Sequence, residues 1–326
     1  MNKNVFIVVL ALLSVAVLVS MPFAGDSLDL QSVLYLKKET PDYQIFFNIR
    51  LPRVILAFIA GAALSVCGMC FQSMFRNDLA TPFTLGIAGG ASFGVVLYIF
   101  IGGPVIINTF ISGTSIAAFS GALIALVIVY SLVKYKQNVS LGDILLAGVA
   151  INFFFSSLIL ILKFKSQNSQ LGEMLYWTIG GLQVIGYEQI NFVIIFIIAG
   201  FIIVIKNLRE MDLLLVGEDL AQSRGVNVHK VRKQLFLAVS LIVGAVVSVC
   251  GPIGFIGLMG PHICRKFTGP GHKVLFWCSL LFGGVFLLVS DTIARTVFYP
   301  TELPVGLITA SLGGPFFFWL IMKRKQ

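Results

Sequence analysis

The sequence predicts an all-α polytopic integral membrane protein with about ten transmembrane helices, arranged as one domain over residues 1–326. Three observations predict this class. The chain is 58% hydrophobic and only 11% charged, whereas soluble domains carry roughly 25% charged residues. Its mean hydropathy is +0.97. Apolar runs long enough to cross a bilayer follow one another along the chain with short polar loops between them. A soluble enzyme, a nucleic-acid-binding domain and a disordered chain are therefore excluded.

The spans can be placed in order from the N-terminus. The first follows Lys3, and we interpret it as a span and not a signal peptide, because it has about 19 apolar residues and no clear A-x-A site after it. The eighth is short and rich in Gly and Pro, which predicts a broken or partly re-entrant segment. The ten predicted spans are Val5–Phe23, Val54–Phe75, Phe83–Ile107, Ile116–Val133, Ile144–Leu162, Ile190–Ile205, Leu235–Val249, Ile253–Arg265, Val274–Phe298 and Val305–Met322.

The basic residues predict the orientation of these spans. An even number of spans places both termini on one side of the membrane. Of the 23 Lys and Arg residues, 16 then fall on that side and 7 on the other. The positive-inside rule therefore predicts that the N- and C-termini are cytoplasmic. The same rule accounts for the net charge of +9, so we expect membrane lipid and no nucleic acid as a partner.

Small residues mark predicted helix contacts. Gly86, Gly90 and Gly94 are four residues apart and form a flat stripe that predicts close packing. The segment Gly61–Gly68 is repeated at Gly244–Gly251 with six of eight positions identical. In the predicted topology the two copies run in opposite directions, as in transporters built from inverted repeats. Convergence of two packing faces on Gly, Ala and Ser is the alternative. The C-x-x-C pair Cys67 and Cys70 lies inside an apolar run, which favours buried packing residues over a redox site.

The motifs of nucleotide hydrolysis and metal catalysis are absent from the sequence. It has no G-x-x-x-x-G-K-[ST] phosphate loop and no H-E-x-x-H. Its three histidines, His229, His262 and His272, are dispersed. We therefore expect no catalytic residues, no metal site and no cofactor.

Polar residues occur inside two of the spans. Asp291 has Arg295 four residues further on, so the two side chains share a helix face. A structural ion pair and a proton relay are both possible roles for Asp291. Gly148, Asn152 and Ser156 form a polar stripe on the fifth span. That stripe fits the wall of a translocation pathway, and it fits a helix-packing surface equally well.

The loop Met211–Gly225 carries a predicted short helix. Gly217 allows a turn, Glu218 and Asp219 suit a helix start, and Gly225 suits a helix end. A helix of about two turns is not stable alone. It therefore needs a partner surface, either a groove on another protein or the loops of its own chain.

Four blocks of residues together resemble the FecCD family, the transmembrane permeases of ABC importers for iron chelates, haem and cobalamin. The resemblance covers the chain from about residue 45 onward. Two positions depart from the family pattern, since Asp78 and Gly260 stand where the family usually has Pro and an aliphatic residue. The blocks are Arg50–Arg53 with Gly61–Leu64, Gln72 and Arg76–Pro82; Leu145–Ala150 with Tyr176, Trp177 and Gly180; Gly217–Gly225; and Gly251–Leu258 with Pro261, His262, Arg265 and Glu302–Gly306.

The resemblance implies the fold of a type II ABC importer permease in the bacterial cytoplasmic (inner) membrane. It implies a second permease subunit (an identical copy or a paralogue), two cytoplasmic ATPase subunits and an extracytoplasmic substrate-binding protein. It makes the chain a transport subunit and not an enzyme, driven by ATP through alternating access. A ferric siderophore is the expected substrate, with haem and cobalamin as alternatives. An ion-coupled secondary transporter without an ATPase, and a membrane-embedded lipid transferase, are the competing functions.

The resemblance also implies roles for residues. The ATPase-coupling loop would comprise Gly217, Glu218, Ala221, Arg224 and Gly225. Docking of the binding protein would involve Arg50, Arg53 and Arg295 at the outer face. The resemblance favours the pathway role for the stripe Gly148, Asn152 and Ser156.

Overall fold

A computed structural model of the chain describes residues 3–25, 33, 35, 40–104, 112–135, 141–297 and 301–323. Throughout these ranges the regular structure is helical, and none of the described residues forms a strand. The predicted all-α class is confirmed. The predicted span ends at Ile107 and Phe298 lie outside the described residues.

The helices are numbered here in chain order. A 3₁₀ turn, Met21–Phe23, follows α1, and a second one, Pro82–Leu85, precedes α4. A wide π-turn, Phe46–Arg50, joins α2 to α3 without interrupting the helix. The helices are α1 Lys3–Ser20, α2 Pro41–Ile45, α3 Leu51–Phe75, α4 Ile87–Phe100, α5 Gly113–Tyr135, α6 Leu141–Lys165, α7 Asn168–Ile179, α8 Glu188–Lys206, α9 Leu208–Val216, α10 Glu218–Ser223, α11 Val228–Cys250, α12 Ile256–Thr268, α13 His272–Thr296 and α14 Val305–Lys323.

The predicted spans correspond to helices. Within the described ranges, six helical segments are long and apolar enough to cross a membrane, namely α1, the continuous segment Pro41–Phe75, α6, α8, α11 and α13. Three shorter apolar helices, α4, α5 and α14, match further spans. The remaining predicted span, the eighth, is α12, a helix with Pro261 inside it that follows the non-helical residues 251–255, so the predicted break lies just before it.

Helix α3 lies at the centre of the fold and packs closely against α13 and α12. Glycines make this approach possible. A Cβ atom on Gly61 would lie 2.2 Å from the carbonyl oxygen of Gly283, and one on Gly68 would lie 1.8 Å from that of Gly257. Larger side chains at these positions would force the helices apart. The α3–α13 pair is therefore a tightly fitted unit.

Two members of the predicted glycine stripe, Gly90 and Gly94, pack as expected. A Cβ atom on Gly90 would meet the carbonyl oxygen of Gly121 at 2.5 Å, and one on Gly94 would meet that of Ala117 at 2.1 Å. These contacts join α4 to α5. The third member, Gly86, adopts a positive φ of 79° and ends the turn before α4.

The two copies of the repeat lie in α3 and α11, which run antiparallel. Phe71, near the end of α3, stacks on Phe236 near the start of α11, with ring centroids 6.2 Å apart. At the other end of α11, the carbonyl of Cys250 accepts from the N–H of Gly181 at 2.9 Å, and the neighbouring Gly180 accepts from Gly306 at 3.1 Å. Gly306 follows Glu302, which contacts Arg53 at the start of α3. This arrangement agrees with an inverted repeat. Cys67 and Cys70 are buried free thiols, as packing residues would be.

Candidate functional site

The short helix α10 begins at a glycine whose backbone conformation few other residues tolerate. Gly217 separates α9 from α10 with φ 155° and ψ 151°. Only glycine adopts this region at low cost. Space is not the reason for glycine here, because a Cβ atom would meet nothing within 4 Å. The predicted turn at Gly217 is therefore explained by its dihedral angles.

The end of α10 has the paired hydrogen bonds of a Schellman motif. The backbone N–H of Val226 donates to the carbonyl of Ala221 at 3.0 Å, and that of Gly225 donates to Gln222 at 2.9 Å. Gly225 has the left-handed φ of 83° that this motif requires. The helix predicted between Gly217 and Gly225 thus begins and ends as its sequence indicates.

One side of α10 packs on the protein itself. Ala221 is completely buried, so its side chain faces its own chain and not an outside partner. The Glu218 carboxylate accepts a hydrogen bond from Nη1 of Arg232 on α11 at 3.2 Å. Sequence reasoning gave no role to Arg232, because the pairing of a loop with the next helix leaves no periodic signal.

The other side of α10 is exposed. The apolar side chain of Leu220 is 43% exposed, and that of Val216 just before the helix is 65% exposed. The remaining members of this surface are polar residues and one glycine, and they include the predicted coupling residues Arg224 and Gly225. The exposed members are Val216, Asp219, Leu220, Gln222, Ser223, Arg224 and Gly225.

A buried charge cluster lies at the opposite end of α3. The guanidinium of Arg53 donates to both oxygens of Asp291 at 3.0 to 3.1 Å and to Glu302 at 2.6 Å. Asp291 has no exposed surface, whereas the Glu302 side chain is half exposed. The predicted pair Asp291–Arg295 is also present at 3.4 Å. Arg53 is nevertheless the principal partner of Asp291, which the i, i+4 spacing alone did not indicate.

The two other arginines of this cluster hold the end of α1. Arg50 donates to the carbonyl of Pro22 at 3.5 Å. Arg295 donates to the carbonyls of Ala24 at 3.5 Å and of Met21 at 3.4 Å. A cation beside helix-terminal carbonyls is favourable. The three predicted docking arginines are therefore brought together, but each is largely buried and engaged within its own chain.

A tyrosine from the second motif block lies beside this cluster. Tyr176, at the end of α7, is half buried, and burial raises its pKa above the ordinary value despite the nearby Arg53. It lines a small cavity of about 50 Å³ to which Gln183, Ser115 and Ser248 also contribute. The Tyr176 phenol is thus kept neutral, and it supplies a hydrogen-bonding group next to the charged residues.

The stripe on α6 divides between two kinds of contact. A Cβ atom on Gly148 would lie 2.3 Å from the carbonyl oxygen of Thr84, so this position serves close packing. The Asn152 amide donates to the carbonyl of Phe83 at 2.6 Å and is partly buried. Ser156 is exposed on the same helix. The structure thus gives packing contacts to the first two members and leaves Ser156 on the surface of α6.

No metal centre is evident in the part of the chain that the structure describes. No group of three His, Cys, Asp or Glu side chains there could hold an ion. The two carboxylates of the charge cluster, Asp291 and Glu302, contact arginine side chains.

Comparison with known proteins decides the family. The FecCD transport family matches residues 6–323. The chain belongs to the FecCD transport family. The resemblance carried by the four sequence blocks is confirmed.

Curated FecCD relatives cover most of the chain. It is similar to the hemin transport system permease protein of Yersinia pestis, with 37% identity over 87% of this chain and 85% of the relative. It is also similar to the iron(3+)-hydroxamate import system permease protein FhuG of Bacillus subtilis, with 34% identity over 87% and 85%. The iron-uptake system permease protein FeuC of the same organism is 32% identical over 98% and 97%.

A solved FecCD-like fold matches almost the whole structure. An ABC transporter of the metal-chelate type, in an inward-facing conformation, superposes with a TM-score of 0.85 and 26% identity, covering 99% of this chain and 100% of that one. The PsaBC transporter of Streptococcus pneumoniae, at 15% identity and a TM-score of 0.54, shares the fold alone. The predicted permease fold is confirmed, and the protein is an integral membrane transport permease.

Proposed function

We propose that this FecCD protein is the permease subunit of a binding-protein-dependent ABC importer that carries a ferric siderophore into the cytoplasm by ATP-driven alternating access. Iron-hydroxamate and hemin systems among its relatives support an iron chelate as cargo, and cobalamin remains an alternative because a cobalamin permease of Halobacterium salinarum is 36% identical. The chain is a transport subunit and not an enzyme, because ATP is hydrolysed by separate subunits.

The exposed surface of α10 is the observation that carries this proposal. A two-turn helix is not stable alone, and α10 is fixed on its inner side by Ala221 and by the Glu218–Arg232 contact. Its outer side offers Leu220, at 43% exposed, among polar residues. That combination suits a groove on each of two ATPase subunits, so ATP-driven closure would move α10.

The outer arginines support a docking site for the binding protein. Among the described residues, the arginines Arg50, Arg53 and Arg295 lie together with the carboxylates Asp291 and Glu302. Glu302 is the half-exposed member, and we infer that an acidic residue of the binding protein displaces it from Arg53. Opposite potentials would then guide the encounter.

The exposure of helix α6 supports a role in lining the translocation pathway. We propose that this pathway lies between the protein and a second permease subunit, either an identical copy or a paralogue. Only 17% of the most apolar stretch of α6 is buried by the rest of the protein. Ser156 lies on this uncovered helix, next to a large exposed apolar residue, Phe153. We propose that α6 meets lipid on one side and the pathway on the other, with Asn152 and Gly148 setting its position.

Charge at the α10 end supports a cytoplasmic location for it. An open groove of about 750 Å³ beside α10 is lined by Lys206, Arg209, Arg224 and Lys230, with Glu210 as the only acidic residue among the lining residues. An excess of Lys and Arg marks the cytoplasmic side. We therefore propose a multi-pass protein of the bacterial inner membrane, one domain over residues 1–326, with both termini in the cytoplasm.

Reconstitution tests the proposal directly. The permease is placed in proteoliposomes with its cognate ATPase and binding protein, and uptake of ferric siderophore is followed with ATP inside. We expect uptake that requires ATP, the ATPase and the binding protein together. Uptake driven by an ion gradient without the ATPase would establish a secondary transporter instead, and lipid turnover without uptake would establish a transferase. Haem and cobalamin, offered in parallel, decide the cargo.

A further inference from the structure

Three residues that are far apart in the sequence form a hydrogen-bonded chain at the inner end of the α3–α13 pair. His272 is the first residue of α13, Ser73 lies near the end of α3, and Asp212 lies in α9. Nδ1 of His272 contacts Oδ1 of Asp212 at 2.7 Å, and the backbone N–H of His272 donates to the same oxygen at 2.8 Å. Nε2 of His272 is hydrogen-bonded to the hydroxyl of Ser73.

The chemistry of the groups gives this chain one direction. An ionised carboxylate only accepts hydrogen bonds, so Nδ1 of His272 carries the proton that it donates to Asp212. The neutral imidazole then accepts at Nε2, and the Ser73 hydroxyl is the donor. Each of the three side chains is thereby oriented by its neighbour.

The same residue types form the catalytic triad of serine hydrolases, but catalysis is excluded here by burial. Ser73 and His272 are both 0% exposed. A substrate therefore has no route to the hydroxyl. What remains is a mechanical role, which depends on the helices that the three residues join.

The hydrogen bonds among Asp212, His272 and Ser73 connect α9, the helix before α10, to the tightly fitted pair α3–α13. Helix α9 precedes α10 and is separated from it only by Gly217. It contacts both α3 and α13, and its apolar side chains Met211 and Leu214 are buried. Asp212 is the residue of α9 whose side chain hydrogen-bonds to α13. Movement of α10 would therefore reach α13 through Asp212 and α3 through Ser73.

We propose that His272 is the positioning residue that transmits the movement of α10 to the α3–α13 pair and, through it, to the charge cluster at the outer end. This inference rests on the proposed function, since it assigns a task within ATP coupling. The ionic contacts Arg53–Asp291 at the far end keep the pair together, so that a displacement at His272 moves both helices as a unit.

The test uses the complete importer in nanodiscs and proteoliposomes. The variants His272→Phe, Asp212→Ala and Ser73→Ala each interrupt the chain. We expect the complexes to assemble and their basal ATP hydrolysis to stay within about twofold of wild type, while substrate moved per ATP falls about tenfold, the usual size of a coupling between sites. Ser290→Ala is the matched control, because Ser290 lies in the same helix and its hydroxyl bonds only to its own helix, at Phe286.

The variant Asp212→Asn separates geometry from charge. The amide oxygen of Asn still accepts from the backbone and ring N–H groups of His272, so we expect coupling near that of wild type. If Asp212→Asn lost as much coupling as Asp212→Ala, a hydrogen-bonded positioning role would be wrong. This variant also keeps the test decisive if His272→Phe fails to fold.

Spin labels distinguish transmission from general damage. One label at Gln222 reports on α10, and another at Val297 reports on the outer end of α13; both positions are exposed. In wild type, ATP should alter both spectra, and in His272→Phe only the label at Gln222 should respond. Normal uptake per ATP in His272→Phe would overturn the inference while leaving the proposed function intact. Absence of ATP-dependent uptake in wild type would instead refute the proposed function.

Discussion

The two ends of the α3–α13 pair, named outer and inner after the proposed orientation, are held by different chemistry. At the outer end, Arg53 and Asp291 form a buried ion pair that two more arginines and Glu302 surround. At the inner end, Ser73 and His272 are neutral and are tied to Asp212, whose side chain is 43% exposed. A buried ion pair is costly to break, because each partner is left as an uncompensated charge. A hydrogen bond between a neutral side chain and a partly exposed carboxylate costs less to break or shift, because the carboxylate can be hydrated instead. The difference indicates an anchored outer end and an adjustable inner end.

Removing the anchor should have the largest effect. Asp291→Ala leaves Arg53 and Arg295 beside each other without their shared carboxylate, which costs roughly 3 to 5 kcal/mol of stability. Thermal unfolding of the purified permease in detergent measures the loss. In Asp291→Asn a hydrogen-bonding side chain remains, so a smaller loss is expected. Equal stability of Asp291→Ala and wild type would show that the cluster does not anchor the helices.

Forcing the two helices apart should have the next largest effect. In Gly283→Ala the new Cβ atom would lie 2.4 Å from the carbonyl oxygen of Gly61. Overpacking of this kind costs roughly 1 to 3 kcal/mol, and the same unfolding assay measures it. Gly172→Ala in α7 is the control, because its Cβ atom meets nothing within 4 Å. If Gly283→Ala lowered the stability no more than Gly172→Ala does, the α3–α13 pair would not be tightly fitted.

Glu302 offers a test of the outer end that spares Asp291. In Glu302→Gln the arginines gain one uncompensated charge, so an acidic binding protein should associate several-fold faster at low salt. Surface plasmon resonance on the permease in nanodiscs measures the rate at two salt concentrations. We expect the gain to disappear at high salt. An unchanged rate at low salt would remove the outer arginines from docking.

The contact between Glu218 and Arg232 should have the smallest effect. Both side chains are partly exposed, at 36% and 23%, and exposed ion pairs contribute roughly 0.2 to 1 kcal/mol. Glu218→Gln should therefore lower transport per ATP only slightly and leave the unfolding temperature nearly unchanged. The double exchange Glu218→Arg with Arg232→Glu keeps an ion pair at this contact, so its transport per ATP should match that of wild type. A loss as large as that of His272→Phe would show that this contact also transmits movement.

Local features of the structure could be predicted from the sequence. Apolar runs place the membrane helices, because burial in lipid requires about 20 apolar residues in succession. Gly217 and Gly225 bound the short helix, since both need backbone conformations that glycine adopts at low cost. The pair Asp291–Arg295 follows from helical spacing. In each case the interacting groups are near neighbours in the chain.

Long-range contacts could not be predicted in this way. The principal partner of Asp291 is Arg53, 238 residues away, and Ser73 is 199 residues from His272. Nothing in the periodicity of a single sequence relates such positions. The helical segment that contains the second predicted span begins at Pro41, well before Val54. This extension was not predicted, because the π-turn within it breaks the helical period. The sequence placed Arg50 and Arg53 outside without indicating that they would be buried.

That π-turn, Phe46–Arg50, sets how the chain tolerates changes in length. A π-turn holds one residue more than an α-turn, so every side chain after it is rotated by about 100° relative to a continuous α-helix. The rotation contributes to turning Arg53 towards Asp291. Deleting a single residue here would convert the π-turn into an α-turn, and this would remove the extra residue and its rotation together. Arg53 would then still face Asp291, so this segment can lose one residue without changing which side chains reach the charge cluster.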